Sequence, residues 1–198
     1  MALDVAGVLV RHAQTEWSAN GRHTSRTDLP LTETGRELAR ALAPRLARLG
    51  IGGALCSPAR RARETCELCG LGDTAQTRED LREWDYGDYE GLTSAQIHER
   101  DPDWSLWRDG CPGGESPAQV GVRADRVVAE LRTRPGPDAD GLVAVFSHGH
   151  MLRVLGARWV TLEPAEGRRL YLATASLSAL GYEHGEPVLA RWNDTGER

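Results

Sequence analysis

The chain has 198 residues, 40% hydrophobic and 27% charged, with a formal net charge of −5. That is the balance of one water-soluble globular domain without a general attraction for nucleic acid or anionic membrane. All 24 basic side chains are Arg, which excludes Walker P-loop enzymes, protein kinases and Schiff-base enzymes, since each depends on a Lys.

In chain order, Val5–Val10 is a short apolar run that reads as a buried strand ending on Arg11-His12. No basic leader precedes it, and it is too short for a signal core or a membrane span. The expected setting is therefore the reducing cytoplasm, with Cys56, Cys66, Cys69 and Cys111 as free thiols. Cys66 and Cys69 read as two helix positions one turn apart. Leu38, Leu42, Leu46 and Leu49 predict a helix over about 33–49, with a kink or break at Pro44. Gly53–Cys56 predicts a second strand, and 59–69 a helix closed by Gly70. A weak strand is predicted at 75–77, an ordered loop over 81–91, and short helices at 93–100 and 103–107. Ser116, Pro117 and Gln119 form a helix start with a capping box, and Pro135-Gly136-Pro137 a stop. Leu142–Phe146 is the most apolar strand and delivers Ser147-His148-Gly149-His150, with a helix from Met151 to about Trp159. Strands are predicted at 171–182 and 188–192. Strand and helix alternation predicts a three-layer α/β/α architecture with a mostly parallel central sheet.

Sites in open α/β sheets form at the carboxyl ends of strands. Two predicted strands end on histidines, His12 and His148, and a third leads into a helix carrying Arg60, Arg61 and Arg63. If those ends are neighbours, imidazoles and guanidinium forks converge on one pocket. That chemistry suits a phosphate: Arg holds the oxygens, and imidazole attacks phosphorus.

The segment VLVRHAQTEWSANGRHTSRTDLPLTETG resembles the signature of the histidine phosphatase (phosphoglycerate mutase-like) superfamily. Four further blocks resemble that family in order: CSPARRARET, LREWDYGDYEGLT, DGCPGGES and VFSHGHMLR. The resemblance spans roughly residues 5–155. It implies a single phosphoglycerate mutase-like domain over 1–198, with an insertion at about 78–115 that caps the active site. It implies that Arg11 and His12 are the phosphate-binding Arg and the nucleophile that becomes phosphohistidine. Arg61, from the R-A-x-x-T spacing, is the second phosphate Arg, with Arg60 the less favoured reading. Glu83 is the general acid, with Asp85 and Asp88 as competitors. His148 binds phosphate and stabilises the transition state, helped by the Gly149 N–H. Ser18, Arg22, His23, Thr24, Ser25, Trp84 and Tyr86 are candidates for the substrate side.

Physical chemistry fits these roles. His12 needs one nitrogen bare, and Arg11, Arg61 and any charge on His148 disfavour its protonation. A phosphate dianion beside Glu83 favours its protonated form by like-charge repulsion. No cofactor is implied. The His148-x-His150 pair suggests a metal only weakly, because no acid or histidine cluster completes a set. Trp104 and Trp107, one turn apart, read as a packing face, and His98 and His184 as surface residues.

Two departures bear on function. The family glycine after the nucleophile is Ala13 here. The Arg that mutases carry after the acid is Trp84, and Ser94 falls near a mutase Lys position. The expected activity is therefore metal-independent hydrolysis of a small phosphomonoester, such as a sugar phosphate or bisphosphate. The nearest branch contains acid phosphatases and a sedoheptulose-bisphosphatase. The alternatives are a mutase-type phosphoryl transferase, a weakly catalytic binding protein on the same fold, and a metallophosphoesterase. The expected partner is a small molecule, with neither nucleic acid nor membrane, in a chain that can form a homo-oligomer.

Overall fold

A computed structural model describes residues 4–134 and 141–196. Its centre is a six-stranded sheet in the order β3-β2-β4-β1-β5-β6. β1 (Asp4–Arg11) and β4 (Leu142–Ser147) pair in parallel, with Val10 opposite Phe146 and Arg11 opposite Ser147. β2 (Ile51–Cys56) runs parallel on the far side of β4, with Cys56 opposite Phe146, and β3 (Ala75–Thr77) runs parallel to β2. β5 (Leu177–Glu183) and β6 (Glu186–Asp194) complete the sheet as an antiparallel hairpin against β1.

Strand alternation builds the layers, because successive side chains leave opposite faces of a sheet. Val8, Val10, Ala54, Cys56, Ala144 and Phe146 enter one apolar cluster with Ala39, Leu42 and Leu46 of α2 (Glu33–Ala47) and Ala62 and Cys66 of α3 (Arg60–Leu68). Leu9, Leu55, Val143 and Val145 enter the other. There they meet α6 (Pro117–Thr133) and α7 (Gly149–Trp159) through Val120, Val127, Leu152 and Leu155. This is the three-layer α/β/α arrangement. Three short helices, α1 (Glu16–Asn20), α4 (Ser94–His98) and α5 (Leu106–Asp109), lie in the segments between.

The register matters for the site. β1, β2 and β4 end level with one another, and the ladder continues one residue beyond them. His12 N–H donates to Ser147 O and Ser57 N–H to Phe146 O, each at 2.9 Å. The residues following the three strands are therefore brought together by backbone pairing alone.

Several expectations need correction. α2 runs through Pro44 to Ala47. Leu42 and Leu46 on either side are buried in the core while Pro44 is exposed, so packing of the apolar face outweighs the lost hydrogen bond. The helix predicted at 103–107 begins at Leu106, behind Ser105. Residues 171–176 are a connection and not strand: β5 begins at Leu177. α6 starts on the predicted capping box, with Ser116 Oγ accepting from Gln119 N. Its predicted stop at Pro135-Gly136-Pro137 lies outside the described residues. All four cysteines are buried free thiols, and among the described residues no helix is long and apolar enough to cross a membrane.

Candidate active site

His12 is 5% exposed and donates through Nδ1–H to the Ala13 carbonyl at 2.8 Å. A carbonyl can only accept, so the neutral ring carries its proton on Nδ1 and leaves Nε2 bare. Burial, then Arg61, then Arg11 hold the His12 pKa well below the imidazole range. The loop is tied on both sides. Ala13 N–H donates to Thr65 Oγ1 at 3.1 Å, and Thr65 Oγ1 donates to Arg61 O at 2.7 Å. That tie explains the spacing of Arg61 and Thr65 on α3. On the other side Ala175 takes φ 54°. Its N–H then reaches Arg11 O and His12 O at 3.2 and 3.3 Å.

Arg11 ends β1 with its guanidinium over the start of α7. Nη1 donates to Leu172 O at 2.5 Å, and Nε is buried without a partner among the described residues. An unpaired buried donor of a permanent cation is costly, and an anion is the group whose chemistry would satisfy it. Gly149 allows this approach, since a Cβ there would lie 3.2 Å from the Arg11 guanidinium carbon. Gly149, whose N–H is one of the orphan donors at a helix start, lines the same cleft.

His148 is completely buried, its ring centroid 5.2 Å from that of His12. Arg61 Nε donates to its Nδ1 at 3.1 Å, so Nε2 carries the proton and donates to Ser57 Oγ at 2.7 Å. Burial, Arg61 and His12 push its pKa well below the imidazole range. A charged His148 would set N–H against N–H at Arg61, which corrects the expectation that positive charge on His148 contributes. Arg61 itself is 1% exposed. Its two Nη atoms donate to Thr27 O at 3.3 Å and Thr24 O at 3.0 Å. Arg61, His148 and Ser57 thus form one hydrogen-bonded chain behind His12.

Glu83 caps α7 from outside. Its Oε1 accepts from Trp84 N at 2.9 Å and Met151 N at 2.8 Å, and Oε2 from His150 N at 3.1 Å. His148, the N-cap residue, supplies no side-chain cap, so the carboxyl takes over donors the helix start leaves unpaired. It also lines the pocket.

Arg11, His12, Glu83 and Gly149 line a cleft of about 400 Å³, while Arg61 and His148 stand behind it and are not among its lining residues. Of the sequence candidates, Ser18, Arg22, His23, Thr24 and Tyr86 also line it. Ser25 does not. Its N–H and hydroxyl donate to Glu90, and its Oγ accepts from Tyr86 N, so it anchors the loop from behind. Burial opposes charge on Glu90, but these bonds and those from Thr27 outweigh it and hold the pKa below the ordinary carboxylate value. Trp84 does not line the cleft either: extended neighbours point oppositely, so Glu83 enters the cleft while Trp84 is fully buried, edge-on to Trp107 at 5.6 Å. Trp104 and Trp107 pack in or against the apolar core as expected and also wall the cleft, and His98 stands at its edge. Arg60 is half exposed on Glu64, away from it. Sequence reading missed Ser57, Ala175, His150, Arg153, Tyr171 and Leu172. His150 and Arg153 had a signal, two residues beyond His148 and one helical turn beyond Gly149. Among the described residues, no group of three or more His, Cys, Asp or Glu is placed to hold a metal.

The histidine phosphatase superfamily (branch 1) matches the chain over residues 8–195. The chain belongs to that family and is a phosphatase of the histidine phosphatase type. It is 46% identical over 191 residues to an acid phosphatase of Mycobacterium tuberculosis, covering 96% of this chain and 92% of that protein. It is 36% identical over 182 residues to sedoheptulose 1,7-bisphosphatase of Saccharomyces cerevisiae, covering 78% of this chain and 67% of that one. Its fold superimposes on the mycobacterial glucosyl-3-phosphoglycerate phosphatase Rv2419c, solved with VO3, with a TM-score of 0.85. The two are 32% identical, with coverage of 98% and 100%.

Proposed function

We propose that the chain hydrolyses a small phosphomonoester of the sugar-phosphate kind in two in-line displacements at His12. The observation that carries this reading is the bare Nε2 of His12 in a cleft that Arg11 also lines, with Arg11 Nε unpartnered among the described residues. In the first step Nε2 forms a bond to phosphorus as the bond to the leaving oxygen breaks, and Glu83 delivers a proton to that oxygen. In the second, water attacks phosphohistidine, Glu83 takes its proton, and Nε2 is released. Arg11 and the Gly149 N–H meet the equatorial oxygens. Arg61 adds positive charge and fixes His148 rather than gripping phosphate with a free fork. Phosphoryl transfer needs mainly this positioning and charge, and the residues present supply both without a metal or cofactor. The cleft volume suits a small metabolite, as do the substrates named for the related enzymes.

Hydrolysis is preferred over mutase chemistry because Trp84 follows the acid and the chain has no Lys at all. In this reading the enzyme works in the cytoplasm with its thiols reduced, as a monomer or homo-oligomer distinguishable by sizing. The segment 78–115, which brings Glu83, Tyr86, Trp104 and Trp107 to the cleft, acts as the cap. The test is a rapid quench with labelled p-nitrophenyl phosphate. Wild type traps label on protein and His12→Ala does not; equal label on both removes His12 as nucleophile. Turnover should survive a chelator and stop with vanadate.

A further inference from the structure

The outer wall of the cleft holds two histidines that the proposed phosphoryl chemistry leaves unused. His23 is 7% exposed and donates through Nδ1–H to Leu92 O at 2.8 Å. Because the carbonyl can only accept, the neutral His23 ring presents Nε2 as a bare acceptor. His150 is held at Nδ1 by the Tyr86 hydroxyl at 2.6 Å. Tyr86 is 2% exposed, and this is the one hydrogen bond its hydroxyl makes among the described residues. A buried phenol satisfies its proton by donating it to Nδ1. The neutral His150 ring then carries its proton on Nε2, as a donor. Both rings line the cleft. Neither Nε2 has a partner among the described residues, and neither is sealed from the cavity.

The two rings are parallel within 9°, their centroids 6.1 Å apart. This places one bare acceptor and one donor on the same stretch of the cleft wall, within reach of the hydroxyls of one small polyol. A hydroxyl is the group that accepts from one and donates to the other; a carboxylate or phosphate oxygen has no proton for His23. The pair is rigid. His23 is edge-on to Trp104 at 5.9 Å and His150 to Trp107 at 5.3 Å, both tryptophans lining the same cleft. Arg153, which also lines the cleft, lies over Trp107 at 4.5 Å and donates to Gly167 O and Arg168 O. After burial, its charge is the largest influence keeping His150 unprotonated.

We propose that His150 and His23 form a donor–acceptor pair that reads a hydroxyl of the leaving alcohol, so that the substrate is a phosphorylated polyol or sugar. The proposal rests on the phosphatase reading above and deepens it. Trp104 and Trp107 supply apolar faces for the carbon skeleton between hydroxyls. A site built to bond a hydroxyl discriminates strongly against an analogue lacking it, because buried polar groups are otherwise left unpaired.

The test compares sn-glycerol 3-phosphate with n-propyl phosphate, which share a three-carbon skeleton and differ in hydroxyls. The ratio of their kcat/KM values is taken within each enzyme, so losses common to both substrates cancel. Wild type is expected to favour glycerol 3-phosphate at least about tenfold. The ratio should fall several-fold toward one in His150→Phe and, independently, in His23→Phe on a different segment. His150→Gln, which keeps a donor, should recover part of it. A wild-type ratio near one, or the same ratio in wild type and both Phe variants, overturns the proposal while p-nitrophenyl phosphate turnover leaves the phosphatase reading standing. Loss of His12-dependent turnover of every monoester, p-nitrophenyl phosphate included, overturns both.

Discussion

The methyl group of Ala13 is completely buried, packed in the cluster with Val10, Leu31, Ala62, Phe146 and Ala175. Its backbone meanwhile accepts from His12 Nδ1 and donates to Thr65. The departure from the glycine of the resembled motif therefore adds packing without touching the reactive nitrogen. Ala13→Gly is expected to cost about 1 kcal/mol in urea unfolding and to leave kcat/KM within a few-fold; a hundredfold loss would show that the methyl shapes the pocket. Gly149→Ala should do the reverse. Its Cβ would press on the Arg11 guanidinium at 3.2 Å, so kcat/KM should fall at least tenfold with little change in Tm. In the proposed reaction the acid limb of the pH profile is assigned to His12. Burial, Arg61 and Arg11 lower its pKa, so the ring stays unprotonated as pH falls through about 6.5. kcat/KM should keep its plateau below that value, and Arg61→Met, which removes one of the three causes, should move the limb upward. A limb that stays put or moves down in that variant contradicts the assignment.

Among the elements, the loop carrying Glu83 is fixed by a second loop and not by its own sequence. Glu115 N–H donates to Asp85 O, Trp84 Nε1 donates to Glu115 O, and Asp85 N–H donates to Glu115 Oε2, each at 2.9 Å. Arg123 on α6 closes the set, pairing with Glu115 Oε2 at 2.7 Å and donating to Glu83 O at 3.4 Å. Gly114 packs so tightly that a Cβ would lie 2.2 Å from Asp85 O. Glu115→Ala removes the carboxylate paired with Arg123 and leaves the Asp85 N–H unpaired in a largely buried setting. It should cost about 2 kcal/mol and lower kcat more than p-nitrophenyl phosphate KM; unchanged kcat would show that the clamp does not position Glu83. This clamp also marks where sequence reading runs out. The strand ends bearing His12 and His148 and the capping box at Ser116 were legible, because each depends on neighbours in sequence. Trp84, a candidate for the wall, is buried behind it, while Trp104 and Trp107 pack in or against the core as expected and also line the cleft. Which face of a loop looks into a cleft depends on what clamps it from behind. Likewise 171–176 has strand-like composition, yet Ala175 is drawn into a left-handed turn to reach Arg11 O and His12 O. That long-range demand leaves no periodic trace. His150 and Arg153 were visible as residue types but not as wall residues, since their meaning depends on where α7 sits over the cleft.

For the whole molecule, the site concentrates buried neutral imidazoles in a way that sets stability against pH. His12, His23, His148 and His150 all have pKa values lowered from the ordinary one, with burial the largest cause for each. In the unfolded chain these groups titrate near 6.5. Between that value and their lower folded values, the unfolded state binds more protons than the native state. Stability then rises with pH and is lost as pH falls below about 6.5. Each group contributes up to about 1.4 kcal/mol per pH unit, so four together set an upper limit of about 5 to 6. The carboxylates held below their ordinary range, such as Glu90 and Glu130, act in the same direction but only nearer pH 4. The loss should therefore begin at the histidines, two pH units before ordinary acid unfolding. Urea titrations between pH 8 and 5 should show constant unfolding free energy above about 7 and a steep fall below 6.5. His150→Phe should make that fall shallower by about one proton's worth. A flat profile from pH 7 to 5, or an unchanged slope in the variant, would mean that these rings take up protons in the native state, and the donor–acceptor pattern around His12, His148 and His150 would have to be redrawn.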